Sequence, residues 1–141
     1  MIKVAFASTD RTRVNQHFGS AEGFVVYEVT PDKATLVGVA EFAEEAMDGN
    51  EDKLGAKVDF LEGCAGVYVM AIGASAIKKL LAKGIQPIRV DEVDTVDELL
   101  GQISKAMSDG GVAWIDRAIA AQNKAKAEDR FANMAEEGWE G

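Results

Sequence analysis

The chain has 141 residues, 48% of them hydrophobic, with one cysteine, one histidine and a formal net charge of −9. That length and apolar content suit a single core, the lone cysteine excludes an internal disulfide and fits a reducing compartment, and the acidic balance argues against a nucleic-acid partner. No run approaches the roughly 18 apolar residues of a membrane span, and the chain opens on a strand-like segment rather than a leader, which predicts a cytoplasmic protein with no membrane partner.

The charge is unevenly spread. Residues 41–52 hold Glu41, Glu44, Glu45, Asp48, Glu51 and Asp52 with no basic partner, and residues 128–141 hold five acids against Arg130. These blocks carry −6 and −4, so the rest of the chain is nearly neutral and can accept an anion locally. Both read as a solvated acidic loop and tail, or as docking segments for a basic surface.

Taken in order, Ile2-Lys3-Val4-Ala5-Phe6-Ala7 reads as a buried strand. A polar loop, Ser8 to Ser20, follows and carries the only histidine, His17, downstream of Arg11 and Arg13. A loop imidazole beside two arginines is a candidate metal ligand or anion contact, or merely a turn cap. Gly23–Val29 and Ala34–Phe42 are rich in β-branched and aromatic residues and flank the turn Thr30-Pro31-Asp32-Lys33, so they predict an antiparallel hairpin. Leu54, Val58 and Leu61 form the stripe of an amphipathic helix over Lys53–Leu61. Val67–Ile72 is a near-continuous apolar run, as expected of a central strand covered on both faces. Gly73-Ala74-Ser75 then opens a helix through Lys83, with Ile77, Leu80 and Leu81 facing inward. Gln86–Val90 is a short strand, and Thr95 with Glu98 suggests a capping box at the head of a helix over Val96–Met107. A further helical stretch, Val112 to Ala127, has a weak stripe of Trp114, Ala118 and Ala121, and the last residues lack a clear period.

The order βββαβαβα with a helical tail predicts an α/β fold: a mixed sheet of about five strands flanked by helices. The hairpin should lie on one side of the first strand and the two βα-linked parallel strands on the other. Residues 1–109 read as the α/β domain and 110–141 as a helical, acidic extension. If strands 2–7 and 67–72 are parallel neighbours, the His17 loop and the Gly73–Ser75 turn share the carboxyl edge of the sheet, where open α/β sheets bind ligands. The amides at the helix start near Ser75 suit an anion, and Gly73 lets a ligand approach the backbone. Cys64 precedes its strand and so belongs to the opposite edge. Its bland role is a small buried apolar residue. Met70 stands at the His17 edge but is better explained as core.

Several reactions can be set aside. There is no dinucleotide or phosphate-loop fingerprint, and His17 has no evident nucleophile partner. The element order resembles that of ribonuclease H-like folds, but Val4-Ala5-Phe6-Ala7 and Tyr68-Val69-Met70 offer none of the strand carboxylates that a two-metal nuclease needs. The residues point to binding rather than catalysis, so no enzyme is expected.

Ile2 to Asp10 followed by Val14-Asn15-Gln16-His17-Phe18-Gly19-Ser20-Ala21 resembles the nitrogenase iron–molybdenum cofactor biosynthesis and carrier family, which includes NifX, NafY and the carboxy-terminal domain of NifB. The resemblance continues through Glu51-Asp52-Lys53-Leu54, Gly63-Cys64, Gly73-Ala74-Ser75-Ala76 and Lys83-Gly84-Ile85-Gln86-Pro87, and covers about residues 1–107. It implies an RNase H-like sheet and a non-catalytic carrier of an iron–sulfur precursor of the iron–molybdenum cofactor, passed between cofactor assembly proteins. It also implies that the histidine of His-Phe-Gly, here His17, holds the cluster. Asn15, Phe18 and Gly19 of the same motif, with Arg11, Arg13, Gly73 and Ser75, complete the candidate site. Where some relatives have cysteines at the end of the fourth strand, this chain has Met70 and Ile72, which leaves His17 more exposed as the protein ligand. The alternative is an interaction module that docks on assembly partners, with incidental cluster contact; the oligomeric state stays open, a monomer included.

Overall fold

Why the chain folds as it does is clearest at the first strand. β1 (Ile2–Ala7) is apolar on both faces, and five of its six residues are buried. A strand of this kind must be paired on both sides and covered above and below. The structure, a computed structural model, describes residues 1–42 and 51–124 and meets each demand. β2 (Gly23–Val29) pairs with β1 antiparallel, and β3 (Ala34–Glu41) pairs with β2 antiparallel with a bulge at Val26/Tyr27. On the other side, β4 (Gly66–Val69) runs parallel to β1, and β5 (Gln86–Arg89) runs parallel to β4. The order β3-β2-β1-β4-β5 is the mixed five-stranded sheet that the sequence predicts.

The helices divide between the two faces. α1 (Glu51–Phe60) and α2 (Ala74–Ala82) cover one face, where Val58, Leu61, Ala76 and Leu80 pack with Ala5, Ala7, Phe18, Phe24, Val67 and Val69. α3 (Val96–Asp109) and a fourth helix, α4 (residues 113–124 as described), cover the other, with Leu99, Leu100, Ile103 and Ile115 against Ile2, Val4, Phe6, Val25 and Tyr68. Alternation along each strand feeds the two cores in turn.

Several boundaries and details differ from the sequence reading. α1 begins at Glu51 rather than Lys53, and the rest of the acidic block, 43–50, lies outside the described residues, as does the tail from 125 onward. β4 stops at Val69, because the next peptide turns to meet the His17 loop. Leu81, expected inside, is 51% exposed, since only Leu80 and Ala76 of α2 reach the sheet. The capping box at Thr95 does not form: the Thr95 side chain makes no cap bond, and its Oγ1 is buried without a partner among the described residues. Thr95 bridges the backbone at Arg13 instead, so tertiary pairing sets the entry to α3. In the α4 stripe, Ile115, beside the predicted line, is the residue driven deepest, at 2% exposure, while Trp114 meets the Tyr68 ring edge-on at 6.2 Å. No helix among the described residues is long and apolar enough to cross a membrane.

Candidate functional site at the carboxyl edge

The loop Ser8–Ser20 leaves the carboxyl end of β1 and is braced along its length by its own polar residues. Ser8 Oγ accepts from the Arg11 amide at 3.0 Å. The Asp10 carboxylate accepts from the amides of Thr12 and Arg13 at 2.8 and 2.9 Å. The Arg13 and Thr12 amides stabilise the charged form and hold the Asp10 carboxyl below the usual aspartate range. This tight turn puts Arg11 at φ 64°, the left-handed region that a non-glycine residue rarely takes. Asn15 exchanges two 3.1 Å bonds with Thr9, from the Thr9 amide to Asn15 Oδ1 and from Asn15 Nδ2 to Thr9 Oγ1.

Beyond Asn15 the loop crosses the edge of the sheet. Its backbone is tied first to β1, by Asn15 N–H to Ala7 O at 3.1 Å. It is then tied to the chain leaving β4, by Met70 N–H to Gln16 O at 3.0 Å and Phe18 N–H to Ala71 O at 2.9 Å. His17 therefore lies between two fixed peptides, alongside the Met70–Ala71 link. Phe18 is fully buried, edge-on to Phe24 at 5.6 Å, and Val14 is buried in the opposite core. The loop is pinned into both cores, while His17 and Gly19 stay exposed. The parallel pairing of β1 and β4 brings this loop and the Gly73–Ser75 turn to one edge, as the topology predicts.

The candidate residues separate into groups. His17, Gly19, Gly73 and Ser75 are exposed at the edge, and Met70, 43% exposed, stands beside them. Gly73 is the N-cap of α2 in an extended conformation and makes no side-chain cap, and the first turn of the helix carries no acid, so its amides and Ser75 face solvent without a competing negative charge. Phe18 is a core anchor, too deep to contact anything bound at the surface. Asn15 is a brace within the loop. Arg13 is drawn toward α3, with its guanidinium 3.9 Å from Asp94, and Arg11 lines a separate cleft of about 310 Å³ with Thr9, Glu22 and Glu41.

Cys64 is on the other side of the molecule. The next amide, that of Ala65, bonds Lys3 O at 2.7 Å, at the amino end of β1. The thiol is buried, and burial pushes its pKa up to about 11. Among the described residues no group of three or more His, Cys, Asp and Glu side chains forms a metal cage.

One residue of the site escaped the sequence reading. Lys57 of α1 is 4% exposed, and its ammonium donates to Gly19 O at 2.8 Å and Phe18 O at 3.4 Å. The Phe42 ring centroid is 5.8 Å from the same nitrogen. The signal was available: Lys57 falls three residues after Leu54 and beside Val58, on the inward face of the stripe, where a lysine needs a buried partner.

With the geometry established, comparison with known proteins decides the family. Residues 1–106 match the family model described as dinitrogenase iron-molybdenum cofactor. The chain belongs to this family. Within the dinitrogenase iron-molybdenum cofactor family it is 46% identical over 140 residues to protein NifX of Azotobacter vinelandii, covering 99% of this chain and 88% of that one. It is also 33% identical over 108 residues to the FeMo cofactor biosynthesis protein NifB of Frankia alni, covering 73% of this chain but only 21% of that longer protein. An NMR structure from Thermotoga that carries a provisional NifB name shares the fold, with a TM-score of 0.53 at 24% identity over 78% of this chain and 90% of that one. The family's fold is thus the mixed sheet described above, and its sphere is nitrogen fixation and iron–molybdenum cofactor biosynthesis.

Proposed function

We propose that this protein is a non-catalytic carrier that binds an iron–sulfur precursor of the iron–molybdenum cofactor and hands it between cofactor assembly proteins in the cytoplasm. The observation that carries this reading is the setting of His17: an exposed imidazole on a loop tied by backbone bonds on both sides, at the carboxyl edge beside the N-terminus of α2. Neutral imidazole is a good ligand for iron, and one protein ligand makes release easier than a cage of thiolates would. The Gly73–Ser75 amides lend positive potential to an anionic cluster. Arg11 and Arg13 add charge at longer range, Arg13 through a guanidinium shared with Asp94. Met70, exposed at the same edge, is a soft donor that can accompany His17. Anaerobic purification from cells that make the cofactor tests this directly. The protein should emerge brown and iron-containing, and His17→Ala should emerge colourless; a colourless wild-type protein contradicts the carrier.

A second reading, a module that docks on assembly partners, is favoured by Leu36, Val37 and Val39 of edge strand β3, each more than 40% exposed. In that case Val39→Glu reduces capture of an assembly partner and leaves cluster binding unchanged.

A further inference from the structure

Gly19 is not explained by the fold. Its φ lies outside the left-handed region, and a methyl group added there would meet nothing within 4 Å among the described residues. Among these residues neither strain nor crowding requires a glycine, and the lack of a side chain leaves the backbone here open to approach. The peptides on either side of it are oriented by a buried charge. Phe18 O and Gly19 O both accept from the Lys57 ammonium, and Phe18 O also accepts from the Ala21 amide at 3.3 Å, closing a turn over Phe18–Ala21. No peptide bond here is cis, so each N–H points opposite to the carbonyl of its own peptide plane. The N–H groups of Gly19 and Ser20 are therefore aimed away from Lys57, outward, at two exposed residues. They have no hydrogen-bond partner among the described residues. Both follow His17 within three residues, at most about 11 Å between α-carbons.

We propose that this turn is an anion subsite of the carrier: the N–H groups of Gly19 and Ser20 donate to the sulfide face of the cluster held at His17, and Lys57 is the positioning residue that fixes their direction. The proposal rests on the carrier reading and extends it from one ligand to a ligand with an adjoining pair of donors. Successive N–H groups in a turn form a concavity suited to an anion. Lys57 does not touch the cargo. Its charge sits behind the peptides and polarises them toward it. Hydrogen bonds to cluster sulfur favour the more reduced, more negative state, so they raise the reduction potential.

The test is an anaerobic titration of the full chain with the isolated iron–sulfur precursor, followed by its visible absorption, and then the reduction potential of the bound cluster at saturating protein. Gly19→Ala should keep the wild-type thermal midpoint, because its methyl group meets no described residue, yet bind about tenfold more weakly, because the methyl group keeps the cluster from closing onto the two amides, a loss on the scale of a hydrogen bond to a charged partner. Lys57→Met should shift the potential of the bound cluster to more negative values, a change that a purely structural lysine would not produce once all cluster is bound. Wild-type affinity and potential in Gly19→Ala, alongside lost binding in His17→Ala, would overturn the amide subsite and leave the carrier standing. Wild-type binding in both Gly19→Ala and His17→Ala would overturn the two together.

Discussion

At the scale of single residues, the chain's one imidazole and one thiol, His17 and Cys64, are placed in opposite settings. The imidazole is exposed and its backbone neighbours are fixed. The thiol is buried, and burial raises its pKa from the ordinary 9.0 to about 11. Thiolate is the reactive form, so Cys64 should resist alkylation at pH 8 in the native protein and react quickly in denaturant, which a thiol-reagent time course reads directly. The same shift has a stability consequence. Between about pH 9 and 11 the unfolded chain has released the proton while the native thiol keeps it, so stability falls as pH rises through that window. Denaturant midpoints should decline there in the wild type more steeply than in Cys64→Ser. Cluster binding should be unaffected by that substitution, because Cys64 adjoins the end of β1 that His17 does not.

At the scale of elements, the His17 loop behaves as part of the core rather than as a free connection. Phe18 seals one core and Val14 the other, and Lys57 holds the turn between α1 and the sheet edge. Phe18→Ala removes a fully buried ring and should cost about 3–5 kcal/mol in a denaturant titration. Because the ring also anchors the peptide that follows His17, the variant should lose cluster affinity even at temperatures where it remains folded. Much of this edge was legible in the sequence. Apolar Ile2–Ala7 and Val67–Ile72 demand a sandwiched pair of strands, and the parallel pairing brings the His17 loop to the start of α2. What was not legible was the pairing of irregular backbone. The bonds from Gln16 and Phe18 to Met70 and Ala71, and the bridge from Arg13 to Thr95, leave no periodic trace in the sequence. The Arg13–Thr95 bridge also explains why a good capping-box sequence forms no cap. Lys57 was hidden for a different reason: a lysine on an amphipathic helix ordinarily snorkels to solvent, and the carbonyls of a distant loop help to hold this one inside.

At the scale of the whole molecule, a three-layer body carries the candidate site on one edge and packs α4 against the other. At the amino edge, the Met1 ammonium donates to Gln122 Oε1 at 3.0 Å, and α4 packs Ile115 and Trp114 over Tyr68 and Gly66. A Cβ on Gly66 would lie 2.9 Å from both the Trp114 ring and Ile88, so this close approach requires the glycine. The segment after Gly110 thus contributes to the same core as β1 and α3. Ile115→Ala should destabilise the fold by about 2–5 kcal/mol, measured by denaturant unfolding, with cluster affinity retained under native conditions. The binding function proposed above belongs to the other edge, where the described residues hold one imidazole, a helix start and a pair of outward amides. The most direct measurement is the anaerobic affinity of the wild type and His17→Ala for the isolated iron–sulfur precursor. A loss of at least about tenfold in His17→Ala, with an unchanged thermal midpoint, is the predicted result, corresponding to about 1.4 kcal/mol or more for the lost ligand. Equal affinity in the two proteins would contradict it.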